Sequence, residues 1–137
     1  MAEKGTETLS KLPVVKRLCD LKAWMEKKSH FLFGPRQTGK TFLIHQALPG
    51  ARVYDLLDST VYLSLSEHPS RLSEEVTIHD KIVVIDEVQR LPELLNEVHR
   101  LIVSRGIRFL LTGSSARKLR QWGVNLLGGP VPAICVL

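Results

Sequence analysis

The sequence predicts an α/β fold in which helices cover both faces of a parallel sheet, and three observations predict it. A short apolar run at residues 31–33 is followed by a glycine-containing loop and then by a helical pattern at residues 41–48. Four consecutive β-branched residues at 82–85 are bounded by charged residues, which is typical of a strand buried on both faces. Strand and helix patterns alternate along the rest of the chain, as they do when each helix connects two parallel strands.

The composition is that of one ordinary globular domain. The chain has 137 residues, 44% of them apolar, and no apolar run approaches the roughly 20 residues that span a bilayer. The N-terminus is polar and lacks the apolar core of a signal peptide, so we expect a cytoplasmic protein with no membrane partner. Cys19 and Cys135 stand far apart, without C-x-x-C spacing, and predict neither a zinc site nor a disulfide framework.

The chain is expected to begin with a flexible segment, residues 1–9, and to continue with an amphipathic helix within residues 10–28. One face of this helix carries apolar residues at helical spacing, namely Val14, Leu18, Leu21 and Met25. Trp24 stands beside this apolar face and has two interpretations, as a core residue or as a stacking partner for an adenine ring.

The remaining elements are predicted from the same periodicities and from proline and glycine breaks. They are a helix at 41–48, a strand at 52–55, two short helices within 56–79, a helix at 92–104, a strand at 107–111 and a short basic helix at 116–121. His68-Pro69-Ser70 separates the two short helices. Gly106 follows the helix at 92–104, in a position where helices commonly end.

Residues 34–41 read GPRQTGKT and match the phosphate-loop pattern G-x-x-x-x-G-K-[ST], between the strand and the helix that this pattern requires. Gly34 and Gly39 let the backbone turn so that successive amide groups face an anion. Lys40 would reach the β- and γ-phosphates of a nucleotide, and Thr41 would place its hydroxyl on Mg²⁺. The alternative is a glycine turn that happens to precede a lysine. The candidate nucleotide-binding residues are Gly34, Pro35, Arg36, Gln37, Thr38, Gly39, Lys40 and Thr41.

With this loop, the predicted fold is a three-layer P-loop NTPase, in which helices flank a parallel sheet. Asp86 and Glu87 are predicted to form the second half of the nucleotide site. Both follow the buried strand at residues 82–85, and ligands of open α/β sheets bind at the carboxyl ends of strands. Asp86 is placed to hold Mg²⁺, and Glu87 to orient and deprotonate the water that attacks the γ-phosphate. The alternative, a solvated helix start or turn, is less favoured once the phosphate loop stands upstream.

Thr112 follows the strand at residues 107–111. If the sheet follows the arrangement of NTPases with an extra catalytic strand, this strand lies between the phosphate-loop strand and the Asp-Glu strand, and its polar end points at the γ-phosphate. Thr112 is therefore a candidate catalytic residue that senses the nucleotide state. The alternative is a plain Thr-Gly turn followed by a serine helix cap.

A net charge of +5 would suit nucleic acid as a partner. The densest basic cluster consists of Arg117, Lys118 and Arg120. A solvated helix face explains this cluster better than a phosphate-contacting patch, so a nucleic-acid partner is only weakly supported.

Three segments, GPRQTGKT, VVIDEVQRLPELLNEVH and FLLTGSSARKL, occur in this order. Together they resemble the AAA-type ATPase core, of the AAA+ superfamily, in a widespread group of prokaryotic proteins that usually carry a C-terminal domain of unknown function. The resemblance covers residues 10–129 and implies that the nucleotide is ATP.

The resemblance also implies roles for particular residues. Lys40 would contact the phosphates and Thr41 the Mg²⁺ ion. Asp86 would be a metal ligand and Glu87 the catalytic base. Thr112 and Ser114 would lie near the sensor position. Gln89 belongs to the same motif, but the resemblance implies no role for it.

The chain departs from this family after Gly129. Resembling proteins continue with an arginine, a further strand and a second domain, whereas Pro130 stands here in place of the arginine. Residues 130–137 form an atypical tail without charge. The resemblance therefore implies that the fifth strand and the lid are missing and that the chain is truncated after residue 129.

We expect residues 10–129 to form an ATP-binding core that hydrolyses ATP with Mg²⁺ and acts on an unknown client, if the missing arginine and lid are dispensable. Two alternatives stay open. One is a nucleotide-gated switch module that contacts DNA through the basic cluster of Arg117, Lys118 and Arg120. The other is a truncated gene product with no independent role. The presence of Glu87 favours hydrolysis, and the ending favours truncation.

Overall fold

The structure is a computed structural model, and it describes residues 21–23, 25–26, 29–33, 40–114 and 134–136. Five strands form one sheet in the order β2-β3-β4-β1-β5, and every neighbouring pair is parallel. The strands are β1 (His30–Phe33), β2 (Arg52–Asp55), β3 (Ile82–Asp86), β4 (Arg108–Gly113) and β5 (Ile134–Val136).

In the part of the chain that the structure describes, four helices and one 3-10 turn connect β1, β2, β3 and β4. They are α1 (Lys40–Ala47), α2 (Ser59–Glu67), α3 (Arg71–Glu75) and α4 (Leu94–Arg105), and the 3-10 turn spans Val88–Arg90. These elements confirm the helices and strands predicted between residues 41 and 111. The predicted helix at 92–104 begins two residues late because Pro92 and Glu93 form a turn ahead of it.

Local signals explain where two of the helices begin and end. The Asp58 carboxylate accepts a hydrogen bond from the Thr60 amide at 2.9 Å and caps α2. Gly106 ends α4 in the left-handed conformation, with φ at 68°, and its N–H donates to the Ile102 carbonyl. Glycine adopts this conformation without the steric cost that a side chain brings.

The core lies in two layers, one on each face of the sheet, which confirms the three-layer α/β architecture. Along β3, Val83 and Ile85 pack with one cluster and Val84 packs with the other, as the alternation of side chains along a strand requires. The first cluster contains residues of α2, α3 and α4, and the second contains residues of α1 together with Leu21 and Met25.

Leu21 and Met25, two of the four apolar residues predicted on the first helix, are fully buried, and residues 21–23 and 25 are helical. Other predictions concern residues outside the described part of the chain. They are the flexible segment 1–9, the start of the first helix, the two interpretations of Trp24, and the basic helix with Arg117, Lys118 and Arg120.

The position of β4 in the sheet decides which residues meet at its carboxyl end. Leu111 is in register with Phe31 of β1 on one side and with Ile85 of β3 on the other. The strand that ends near Thr112 thus lies between the phosphate-loop strand and the Asp-Glu strand, as predicted.

The predicted absence of the fifth strand is wrong. Residues 134–136, in the tail that looked atypical, pair with β1 in parallel, and Cys135 is in register with Leu32. Two of the three residues are β-branched, and the free side of β1 offers backbone donors and acceptors that need partners. The absence of a lid stays a prediction.

The described residues contain no helix that is long and apolar enough to cross a membrane.

Candidate functional site

Polar residues meet where β1, β3 and β4 end and α1 begins. β1 ends at Phe33 and α1 begins at Lys40. The predicted phosphate-loop residues between them, Gly34, Pro35, Arg36, Gln37, Thr38 and Gly39, lie outside the described part of the chain. Within the described residues, the site consists of Thr41 and the ends of β3 and β4.

Thr41 and Asp86 come together although 45 positions separate them in the sequence. The Thr41 Oγ1 lies 3.5 Å from Oδ2 of Asp86. Thr41 is exposed in the first turn of α1, whereas Asp86 is buried at the end of β3, with 7% of its surface exposed. The positive end of the α1 dipole thus faces a carboxylate and a hydroxyl at the same edge of the sheet.

Thr112 joins β4 to both residues of the Asp-Glu pair. Its hydroxyl donates to Oδ1 of Asp86 and accepts a hydrogen bond of 3.0 Å from the backbone N–H of Glu87. Thr112 is completely buried. Because its hydroxyl engages Oδ1, the other carboxylate oxygen of Asp86 is left facing Thr41.

Glu87 has a backbone conformation that side chains rarely adopt. Its φ is 61° and its ψ is 49°, and it is the one residue other than glycine with positive φ among the described residues. Glu87 is also 2% exposed. A glutamate in the left-handed backbone conformation lowers the stability of the fold by about 1 kcal/mol or more. Backbone strain of this kind concentrates at functional sites.

Gln89 and Ser114 hold the carboxylate of Glu87. The side-chain amide of Gln89 donates to Oε1 of Glu87 at 2.5 Å, and the Ser114 hydroxyl lies 3.4 Å from the same oxygen. Sequence reasoning assigned no role to Gln89. Its signal was its place two residues after Glu87 in the motif DEVQ.

The oxygen atoms at this edge are suitable ligands for Mg²⁺ bound together with a nucleotide. Mg²⁺ prefers hard oxygen ligands and is usually held by one or two carboxylates plus phosphates and water. Asp86 offers one carboxylate oxygen and Thr41 one hydroxyl, within 3.5 Å of each other. The described residues include no group of three or more His, Cys, Asp or Glu side chains that could hold a metal ion, so the remaining ligands would come from phosphate and water.

The sheet order, the two helical layers and this polar edge define an AAA-type P-loop ATPase core. A family model described as an AAA domain matches residues 26–133, which is most of the chain. The chain belongs to this AAA domain family, and the resemblance found in its sequence is confirmed. No curated protein matches the chain.

Two proteins are among the solved structures that share the fold. The Orc1 protein of Aeropyrum pernix, solved in complex with DNA, superposes with a TM-score of 0.59 at 18% identity, over 90% of this chain and 44% of that one. PCH-2 of C. elegans superposes with a TM-score of 0.51 at 19% identity, over 90% of this chain and 40% of that one. The chain thus spans less than half the length of either protein, and likeness at these identities concerns the fold alone.

Proposed function

We propose that this chain binds ATP and Mg²⁺ at the edge where α1 begins, and that it hydrolyses ATP in the cytoplasm to act on a client. One observation carries the proposal. The Thr41 hydroxyl and the Asp86 carboxylate, 45 positions apart, face each other within 3.5 Å at the start of the helix that follows GPRQTGKT. A triphosphate bound by that loop would extend toward this pair.

Each residue of the proposed site has a separate task. The amides of residues 34–39 and the ammonium group of Lys40 bind the phosphates, and the Thr41 hydroxyl and the Asp86 carboxylate supply oxygen ligands. Mg²⁺, when bound there, would supply positive charge that offsets the negative charge of the phosphates.

Glu87 is the proposed base. Its carboxylate orients the attacking water and accepts its proton as the water oxygen bonds to the γ-phosphorus. The bond from that phosphorus to the β,γ-bridging oxygen breaks at the same time, and ADP leaves with the electron pair. Thr112 orients both carboxyl-bearing residues through its two hydrogen bonds, and in this way we propose that it responds to the nucleotide state.

Binding is tested by titrating a fluorescent ATP analogue into wild type, Lys40→Ala and Lys81→Ala. Lys81 is exposed at the opposite end of β3 and serves as the matched control. Loss of a charged phosphate contact should weaken binding about 10- to 100-fold in Lys40→Ala. Equal affinity of all three proteins would remove the central claim.

Hydrolysis is tested with Glu87→Gln, using Glu93→Gln as the matched control because Glu93 is exposed and makes no side-chain cap at the start of α4. A general base contributes about 10²- to 10⁴-fold, so Glu87→Gln should lose turnover by that factor and keep its affinity for ATP. Asp86→Asn should instead weaken the Mg²⁺ dependence of binding. Wild-type turnover in Glu87→Gln would show that the base is a different group.

A second candidate function is a nucleotide-gated module that contacts DNA. It is supported by the net charge of +5 and by the likeness in fold to Orc1, a protein solved in complex with DNA. The test is fluorescence anisotropy with labelled duplex DNA, with and without ATP, for wild type and for a variant in which Arg117, Lys118 and Arg120 are replaced by glutamine. Phosphate contacts through this cluster would weaken steeply with salt and disappear in the variant. Binding that is equal in both proteins would remove the cluster as the contact surface.

A further inference from the structure

We propose that Gln89 is a positioning residue, whose side-chain amide holds the carboxylate of Glu87 in the place from which it accepts the proton of the attacking water. This inference rests on the ATPase function proposed above. It adds a residue to the site for which the motif implied no task.

The contact between the two side chains is close and has a third member. The Gln89 Nε2 lies 2.5 Å from Oε1 of Glu87, and the Ser114 Oγ lies 3.4 Å from each of these two atoms. The opposite orientation of the amide would place its oxygen against a carboxylate oxygen, which repels it, so the nitrogen is the atom that faces Glu87. A residue from the 3-10 turn and one from the end of β4 thus converge on one carboxylate oxygen.

The turn that carries Gln89 is anchored on both sides. Val88 before it is completely buried, and the guanidinium group of Arg90 after it stacks over the ring of Tyr62, 5.2 Å from the centroid. The Arg90 amide also donates to the Glu87 carbonyl at 3.1 Å, which closes the turn. Because the neighbours of Gln89 are fixed, its side chain approaches Glu87 from one direction.

The arrangement has features that a purely structural role does not explain. The Oε1 of Gln89 is buried and has no hydrogen-bond partner among the described residues, which is costly because a desolvated acceptor has lost its water. Its neighbour Glu87 adopts the left-handed backbone conformation. A leucine at position 89 would fill similar space without the unpaired oxygen. Unfavourable features that concentrate on adjacent residues are typical of sites where orientation matters more than stability.

The experiment compares wild type with Gln89→Leu, which removes the donor at similar volume, and with Gln89→Asn, which keeps an amide on a shorter arm. Gln46→Leu is the matched control, since Gln46 is exposed near the end of α1. For each protein, ATP affinity and kcat are measured separately. We expect kcat of Gln89→Leu to fall about 10- to 100-fold, the range in rate of one hydrogen bond to a charged group, with unchanged ATP affinity. Gln89→Asn should retain part of the rate, and Gln46→Leu all of it.

A second measurement needs no turnover. The midpoint of thermal unfolding is compared for Gln89→Leu in wild type and in the Glu87→Ala background. In wild type the substitution removes a donor from a buried carboxylate and should lower the midpoint by roughly 5 to 10 °C. In Glu87→Ala the amide has already lost its acceptor, so the same substitution should leave the midpoint unchanged or raise it.

The outcomes separate the inference from the function on which it rests. An equal drop in both backgrounds would overturn the contact between Gln89 and Glu87. A wild type that turns over ATP while Gln89→Leu keeps its full kcat, or increases it, would overturn the positioning role alone. A fall in ATP affinity that matches the fall in kcat would replace it with a structural role. A wild type without any turnover would overturn the proposed hydrolysis and the inference together.

Discussion

Replacing Thr112 with valine is the sharpest test of the geometry at the end of β4. Valine has nearly the shape of threonine but lacks the hydroxyl. Two buried groups would lose their partner at once, namely Oδ1 of Asp86 and the backbone N–H of Glu87. Thr112 is completely buried, so water cannot replace the lost hydrogen bonds without opening the core.

The size of the effect follows from these two contacts. A hydrogen bond to a charged group contributes about 1.5 to 3 kcal/mol, and a buried N–H without a partner costs about 1 to 3 kcal/mol. Thr112→Val should therefore lower the free energy of unfolding by about 2.5 to 6 kcal/mol. Thr112→Ser keeps the hydroxyl and removes one buried methyl group, which costs about 1 kcal/mol. A chain of this size should then show a midpoint of thermal unfolding about 8 to 24 °C lower for valine and about 3 to 4 °C lower for serine.

The assay is thermal unfolding followed by circular dichroism, without nucleotide, for the wild type and both variants. The informative result is the order of the two variants, because burial of apolar volume alone would favour valine over serine. A valine variant as stable as the serine variant would refute the reasoning that the Thr112 hydroxyl joins Asp86 to the Glu87 backbone.

Three further predictions concern the scaffold. Gly106→Ala should lower the free energy of unfolding by about 1 kcal/mol, because φ is 68° there, although a Cβ would have open space. Gly50 also has open space for a Cβ and has no positive φ, so Gly50→Ala should leave the free energy of unfolding in chemical denaturation unchanged or raise it slightly. The pKa of Tyr54 is raised above its ordinary value of 10.0 by burial and by its hydrogen bond of 2.9 Å to Glu75. The unfolded chain therefore loses the Tyr54 proton at lower pH than the folded chain, so the stabilisation from this proton should be complete below about pH 10 and decline above it. In Tyr54→Phe, the free energy of unfolding should fall less steeply above about pH 10. Equal slopes of the free energy of unfolding against pH in the two proteins would contradict this. Cys135→Pro should expose the edge of β1 and increase self-association in light scattering relative to Cys135→Ala, and indistinguishable variants would argue against β5 as cover for that edge.

The sequence allowed most of the elements to be predicted because their signals are local. The helices and strands between residues 41 and 111 follow from hydrophobic periodicity and from breaks such as His68-Pro69-Ser70, which act over a few positions. The central place of β4 was predicted from the arrangement of NTPases with an extra catalytic strand and is confirmed. The fifth strand was missed because its three residues lie in a short tail between prolines and the last residue, where no pattern of adequate length exists.

Some of the predicted site residues, namely Thr41, Asp86, Glu87 and Thr112, are brought together in the structure. The predicted phosphate-loop residues 34–39 lie outside the described part of the chain. Asp86 and Glu87 were found because two carboxylates directly follow a buried strand, a signal contained in one short segment. Thr112 was placed near them by strand order. Its hydrogen bonds to both residues were not foreseeable, since they depend on the register of β3 against β4. The roles of these residues stay predictions.

The sequence by itself determined the class of this protein, because the phosphate-loop motif, the buried strand and the alternation of elements each lie within a continuous segment. Tertiary structure alone decided how the polar edge is connected. Two features join residues that are far apart in the chain, namely the contact of Ser114 with Glu87 and the pairing of β5 with β1. Two others depend on backbone torsions, namely the left-handed conformation of Glu87 and the contact of Gln89 with its carboxylate. Such features arise from the balance between packing, hydrogen bonding and strain over the whole sheet, and no local pattern of residues encodes that balance.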